Sequence, residues 1–249
     1  MKRWEVLLIT VCFSLSALAE KTNEIVVLTP KKDSAFRANK QLNNNGGNQK
    51  LYIAKVSYVR TLISFDLKEI IPTNKIEKAE LRIHLLNKTG EKPVSFTIQP
   101  MVQTTNNIAW GEGTGNLGVG GQKSRLGDAN FIFSSSRDKK WESAEGKTVI
   151  NLLDKSLWLS PITTFSNFEW KENEWLTVSL NAKNIESIRK SKLKIITFGL
   201  WGTSGDQYYF LSAKESSSPP QLRLVLKPNK EIKKEEQKKK NPKTTKTGK

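Results

Sequence analysis

The chain has 249 residues, a formal net charge of +17, one cysteine (Cys12) and one histidine (His84). A single thiol excludes a disulfide framework within the chain, and so few histidine and cysteine side chains exclude the usual zinc sites. The length suffices for one substantial hydrophobic core, and all-β sandwiches of this size often form a single domain.

Residues 1–19 have the pattern of a secretory signal peptide. Lys2 and Arg3 precede an apolar run over residues 6–18, which ends in the small-x-small sequence of residues 17–19. The run is short for a membrane span, although an uncleaved anchor is the alternative. We therefore expect a secreted, extracellular or cell-envelope protein with no membrane span in its mature part.

Positive charge is distributed over the body as well as the C-terminus. Residues 1–19 contribute +1 and residues 227–249 contribute +7, which leaves +9 on residues 20–226. The segment 227–249 has no aromatic residue, so we predict a disordered lysine-rich tail. A basic exported body favours an anionic glycan or envelope polymer as partner, although solubility alone is the alternative. Nucleic acid is not expected.

The body, residues 22–226, reads as one all-β domain, a jelly-roll β-sandwich. Short segments with alternating apolar residues are typical of half-buried strands. They lie at 25–28, 51–54, 62–67, 79–86, 94–98, 175–180, 193–201, 208–211 and 222–226. The segments at 79–86 and 94–98 are separated by a short turn, so we expect them to pair as neighbours. Residues 184–192 are the best helix candidate.

Two stretches between the strands are predicted to be irregular. Residues 43–48 consist only of Asn and Gly, and residues 110–130 hold seven glycines. Long loops in compact domains are usually functional or mobile. Calcium, bound by loop carbonyls and carboxylates, is a possible structural cofactor, but no EF-hand pattern is present.

No catalytic constellation stands out. His84 lies on the polar side of a predicted strand, and no nucleophile elbow accompanies it. Carboxylates near the glycine-rich loop are candidates for glycoside cleavage, but their spacing fixes no mutual distance. They are Glu112, Asp128, Glu142 and Glu145. Ordinary loop acids explain them better, and we predict that the protein is not an enzyme.

Several segments in order resemble domains of the DNRLRE type. The resemblance rests on residues 33–37, 51–55, 60–67, 76–83, Trp110-x-Glu112, 209–215 and 219–222, and so covers nearly the whole body. Some members of that family are alginate-binding modules of polysaccharide lyases. The resemblance thus implies a jelly-roll fold and binding of an acidic polysaccharide. The loop from Gly111 to Trp141 is longer than the family pattern, and we expect no attached catalytic domain.

The resemblance also suggests where a polyuronate would bind. Arg37, Lys55 and Arg60 lie on successive predicted strands, and their charged ends would share one face if those strands are neighbours. Lys32 and Lys40 flank the region and would extend the patch. Guanidinium groups bind carboxylates through two parallel hydrogen bonds. The alternative is that Arg37 and Arg60 are structural and pair with nearby aspartates.

Exposed aromatic residues would add sugar stacking, with Tyr52, Tyr58 and Tyr208 as candidates. Three function classes follow. The first is a non-catalytic carbohydrate-binding domain for a polyuronate such as alginate. The second is a structural envelope protein whose lysine tail holds an anionic polymer. The third is a polysaccharide-degrading enzyme, for which the usual catalytic residues are missing.

Overall fold

The computed structural model describes residues 23–55, 58–115, 121–135 and 138–228. They form an all-β sandwich of two antiparallel sheets packed face to face. The fold is of the jelly-roll kind, since the chain alternates between the two sheets from β4 to β7 and again from β12 to β14. The predicted signal peptide, residues 1–19, and residues 229–249 of the predicted tail lie outside the described residues.

The strands and helices follow one another over the whole described chain. The strands are β1 (Glu24–Leu28), β2 (Lys32–Arg37), β3 (Asn43–Asn44), β4 (Lys50–Ile53), β5 (Val59–Asp66), β6 (Asn74–Thr89), β7 (Ser95–Pro100), β8 (Gln122–Lys123), β9 (Phe133–Ser135), β10 (Lys139–Lys140), β11 (Thr163–Phe165), β12 (Trp175–Leu180), β13 (Ile195–Ser204), β14 (Tyr208–Ser212) and β15 (Gln221–Pro228). The helices are α1 (Thr105–Ile108) and α2 (Ala182–Lys190).

Sheet A has the order β1-β15-β6-β14-β4, and β12 also pairs with β6. Arg82 of β6 pairs with Thr177 of β12 and with Gln221 of β15, so these two strands lie on opposite edges of β6. Leu85 pairs with Leu211 of β14 on one edge, while its backbone N–H donates to the Glu174 carbonyl on the other. Strands β14 and β15 therefore follow one another along the same edge of β6.

Sheet B has the order β11-β7-β13-β5-β2. Its inner face packs against sheet A and forms the main core, which includes Val59, Ile63 and Phe198. Its outer face is covered by the segment between β7 and β11, which buries a second cluster around Trp110 and Trp141. Sheet B is therefore enclosed on both faces.

The helix α2 follows β12 directly. The side chain of Asn181 accepts hydrogen bonds from the N–H groups of Lys183 and Asn184 and so caps its first turn. Ile185 turns into the main core, and Arg189 forms an ion pair with Glu186 at 2.6 Å. The helix predicted at 184–192 is thus present, two residues earlier.

The structure corrects the sequence reading at three points. Strands β6 and β7 were expected to pair, but β6 belongs to sheet A and β7 to sheet B. Residues 43–48 were expected to be irregular, but Asn43 and Asn44 pair with β8. Strand β15 runs through Pro228, two residues beyond the predicted boundary at 226. No helix of the described segments is long and apolar enough to cross a membrane.

Candidate functional site: a cationic aromatic cluster around Trp201

Two of the predicted binding residues, Lys55 just after β4 and Arg60 in β5, each lie against an aromatic ring, in two separate cation–ring pairs. The backbone N of Lys55 packs closely on Gly202, since a Cβ built there would lie 2.5 Å from it. Trp201, the residue before Gly202, leaves β13 on the opposite face, and its ring lies under Arg60, with 4.4 Å between the guanidinium carbon and the ring centroid. Trp158 completes the group, 4.9 Å from Trp201 between ring centroids.

We call Lys55, Tyr58, Arg60, Trp158 and Trp201 the Trp201 cluster. Tyr58 is its most accessible ring, with 53% of its surface exposed, and its backbone has a positive φ of 46°. A non-glycine residue seldom adopts this conformation, and such strain concentrates at functional sites. The Nζ of Lys55 lies 4.5 Å from the Tyr58 ring centroid, so the two side chains present a cation and a ring together.

Arg60 carries a charge that is taken out of water. The residue is only 9% exposed, and its Nε donates to the Leu152 carbonyl at 3.3 Å. Its Nη1 donates to the Val59 carbonyl at 3.1 Å. Within the described ranges no carboxylate forms an ion pair with Arg60. Burial lowers the pKa of Arg60 to about 10.

Arg37 does not join Arg60, although β2 and β5 are neighbours as the sequence suggested. Arg60 pairs with Phe36, which lies in the outer cluster of sheet B, whereas Arg37 pairs with Val59 of the main core. Side chains alternate along a strand, so the two arginines leave opposite faces of the same sheet. The predicted shared face of Arg37, Lys55 and Arg60 is therefore wrong for Arg37.

Lys32 is held away from the Trp201 cluster. Its Nζ donates to the carbonyls of Trp110 and Ile108 at 2.7 and 3.2 Å and lies 5.4 Å from the Trp110 ring centroid. Burial lowers the pKa of Lys32, and the charge of Glu112 opposes this effect. Lys40 is exposed in a short 3₁₀ turn after β2. Lys32 therefore does not extend the cluster, and the predicted role of Lys40 stays a prediction.

A partly buried network of three acids and one lysine ties the glycine-rich loop to both sheets. The backbone N–H of Asp33 donates to Glu112 at 2.7 Å, and the Asp33 carboxylate accepts from the backbone N–H of Lys214 at 2.6 Å. Glu112 pairs with the Nζ of Lys214 at 3.0 Å, and Glu215 contacts the same ammonium group. We call Asp33, Glu112, Lys214 and Glu215 the Asp33 network.

Burial governs the protonation of this network. Asp33 is almost fully buried, and desolvation raises its pKa well above the ordinary value, helped by the negative charge of Glu215. Desolvation also raises the pKa of Glu112, against the hydrogen bond from the Asp33 N–H and the contact with Lys214. The three segments in this network, around 33, 110–112 and 209–215, are among those that carry the DNRLRE resemblance. In this chain they join β2, the loop and the β14–β15 connection.

The glycine-rich loop reaches the body through direct contact between backbones. A Cβ built at Gly46 would lie 2.0 Å from the Glu112 carbonyl oxygen, and one at Gly111 would lie 1.8 Å from that of Gly127. Asn44 secures the contact, since its side-chain N donates to the carbonyls of Glu112 and Ala129. The glycines at 46 and 111 therefore serve close packing.

The other acids near this loop have local partners. Glu142 accepts from the side-chain N of Asn106 at 2.6 Å, and Asp128 accepts from the Arg125 N–H at 2.9 Å. The described residues contain no group of three or more His, Cys, Asp or Glu side chains that is placed to hold a metal ion. Calcium therefore remains a prediction, which a melting curve with and without a chelator tests: a lower midpoint would support it.

Sequence reasoning named Lys55, Arg60 and Tyr58 but missed Trp158 and Trp201. Their approach depends on Gly199, where a Cβ would lie 2.2 Å from the Trp158 ring. The sequence does offer one signal for this packing. Gly199 lies two residues before Trp201 on the same predicted strand, and a glycine there leaves room for an aromatic ring above the sheet. Of the three tyrosines proposed for stacking, Tyr58 is exposed, Tyr208 half-buried and Tyr52 buried.

In comparisons with known proteins, no family model matches this chain, and no curated protein matches its sequence. The fold therefore defines the class: an all-β sandwich of two antiparallel sheets, with one buried cation–ring pair, Arg60–Trp201, and one more accessible pair, Lys55–Tyr58.

Proposed function

We propose that this chain is a secreted, non-catalytic carbohydrate-binding domain that recognises an acidic polysaccharide, with a polyuronate such as alginate as the model ligand. The observation that carries the proposal is the Arg60 guanidinium, desolvated on Trp201 without a carboxylate partner in the described residues. A buried charge is costly until an opposite charge approaches it. Because only 9% of Arg60 is exposed, a carboxylate at the surface beside it would gain from its charge without direct contact.

The exposed part of the Trp201 cluster suits a sugar acid. Half-buried Lys55 supplies an ammonium group over the ring of Tyr58, and Tyr58 itself is 53% exposed. Sugar rings stack on aromatic faces through their apolar C–H groups, while carboxylates pair with ammonium and guanidinium groups. The cluster combines both kinds of contact, which a neutral glucan would use only in part.

The whole body supports an anionic ligand as well. Residues 20–226 carry a net charge of +9, which raises the local concentration of a polyanion near the surface. The resemblance of several segments to DNRLRE-type domains also implies binding of an acidic polysaccharide. The lysine-rich segment 229–249 would contribute non-specifically, so the body must be tested without it.

The test compares polymers on residues 23–228. Binding of alginate and of a neutral glucan with equal chain length is measured by calorimetry at about 0.15 M salt, where exposed charges are screened beyond about 8 Å. We expect clear preference for alginate, and a melting temperature close to that of the full chain. Equal binding of both polymers, or none, would contradict the proposal. Release of reducing ends or unsaturated products during incubation would instead indicate an enzyme.

A further inference from the structure

The outer face of sheet A carries a second group of rings and cations. Side chains that alternate with the core residues of β6, β12 and β14 leave the sheet on this side. We call the following residues the open face: Arg82, His84, Trp175, Tyr208 and Phe210. All five are half-buried, and Thr177 and Ser179 on the same side of β12 are exposed.

The strand register brings three of these side chains into direct contact. Trp175 pairs with His84 across β12 and β6, and their ring centroids lie 5.0 Å apart. The guanidinium carbon of Arg82 lies 4.8 Å from the Trp175 ring centroid. Along the other edge of β6, Tyr208 and Phe210 stack with 6.2 Å between their ring centroids. The rings thus run diagonally across several strands.

Arg82 differs from its neighbouring arginine in having no acidic partner. Its Nη1 donates to the neutral side chain of Gln221 at 3.2 Å, and none of the ion pairs among the described residues includes it. Arg223 on the same face is paired with Glu80 at 2.9 Å. The open face therefore holds one guanidinium available to an anion, stacked on a tryptophan.

We propose that the open face is a second binding surface, occupied by an extended chain of acidic sugars whose carboxylate meets Arg82 and whose rings stack on Trp175, Phe210 and Tyr208. This rests on the proposed function, because it assigns the same ligand class to a separate place. The positive charge of Arg82 favours a ligand that carries carboxylates. The rings lie along a line that crosses several strands, which a long linear sugar chain can follow.

The two sites face away from each other. Arg60 and Trp201 leave sheet B on the side opposite the main core, and the open face is the corresponding side of sheet A. One straight polymer chain would not reach both at once, so occupation of both sites joins two chains. The protein would then act as a cross-linker of the polysaccharide, rather than gaining affinity along a single chain.

The test uses the full chain and, to remove the contribution of segment 229–249, residues 23–228 in parallel, with a short uronate oligomer and stoichiometry measured by calorimetry. We expect two oligomers per wild-type protein, and one for the double variant Arg82→Ala/Trp175→Ala. The double variant Lys55→Ala/Tyr58→Ala should also retain one. Lys78→Ala removes an exposed charge from the same face of β6 and should leave the stoichiometry unchanged. If the first double variant fails to fold, Arg82→Gln alone should still weaken one of the two sites at least threefold.

Cross-linking is read with long alginate by light scattering. Wild type should increase the scattering at substoichiometric protein, and both double variants should lose this effect while still binding. A single site in wild type that survives Arg82→Ala/Trp175→Ala would overturn the inference and leave the proposed function standing. Absence of any binding would overturn both. A wild-type dimer that becomes monomeric on Trp175→Ala would show that the face binds a second copy of the chain, which also overturns the inference.

Discussion

Arg60 and Arg37 lie one residue apart in register on two paired strands, yet they leave opposite faces of the same sheet. Arg60 enters the outer cluster and stacks on Trp201, while Arg37 turns toward the side of the main core. The arginines of β2 and β5 therefore lie in two different environments, the outer cluster of sheet B and the side of the main core. This separation also explains why the candidate site is built around Arg60 and the tryptophans.

The buried charge of Arg60 leads to a prediction about the stability of variants at this position. Because its charge has no acidic partner among the described residues, Arg60→Met should keep the packing on Trp201 and remove a desolvated charge. We expect it to change the free energy of unfolding by less than about 1 kcal/mol. Arg60→Ala leaves a cavity and should cost about 2–4 kcal/mol. Urea unfolding of both variants measures the difference, and equal losses would show that the charge itself stabilises the fold.

The Asp33 network predicts a pH dependence. The pKa of Asp33 is raised in the folded protein, so the folded state holds this proton more tightly than the unfolded chain. Above about pH 3.9, the ordinary aspartate value, the unfolded chain releases the proton first, and stability falls as the pH rises through the raised pKa. Asp33→Asn keeps an acceptor for the Lys214 N–H and has no proton to lose.

The melting temperature of Asp33→Asn should therefore improve relative to wild type as the pH rises from about 4 to about 7. Thermal unfolding followed by circular dichroism at several pH values measures this difference. The exposed Asp138 provides the control, and Asp138→Asn should show a constant difference. If the difference in melting temperature between Asp33→Asn and wild type falls or stays constant as the pH rises, Asp33 is charged in the folded protein at neutral pH.

The space around each glycine predicts that Gly→Ala substitutions will lower the free energy of unfolding by different amounts. Gly111→Ala would place a Cβ 1.8 Å from a backbone oxygen, so the loop must move, and we expect a loss above about 2 kcal/mol. Gly146, unlike Gly111, has a positive φ, of 73°, but no atom lies within 4 Å of its Cβ position. Gly146→Ala should cost only about 1 kcal/mol. Similar midpoints in urea for the two variants would contradict the close-packing role of Gly111.

The strands were predictable because the alternation of apolar and polar residues is visible within each short segment. The segments read at 25–28, 79–86 and 175–180 each lie within a strand of the structure, and Leu81 and Ile83 are buried as their pattern indicated. The two-layer, all-β architecture follows from many such segments with turns between them. The pairing of strands was not local, and a short turn before β7 suggested a hairpin where the chain instead crosses to the other sheet.

The site was only partly predictable for the same reason. Lys55 and Arg60 are five residues apart, and the sequence placed them on successive predicted strands. Trp158 and Trp201 come from distant parts of the chain, and only the pairing of β13 with β5 brings Trp201 to Arg60. Which face Arg37 takes depends on register, and a shift of one residue reverses it. The basic charge alone carries no such information.

The most direct test of the account is the affinity of residues 23–228 for alginate when the exposed half of the Trp201 cluster is removed. Lys55→Ala/Tyr58→Ala should weaken binding at this site by about 2 kcal/mol or more, roughly thirtyfold, because it removes one charge-assisted contact and one stacking ring. Lys140→Ala is the matched control, since Lys140 also lies over a ring, with its Nζ 5.9 Å from the Phe133 ring centroid. It should bind as wild type does. Unchanged affinity in the double variant, at an unchanged melting temperature, would contradict the claim that this cluster binds the polysaccharide.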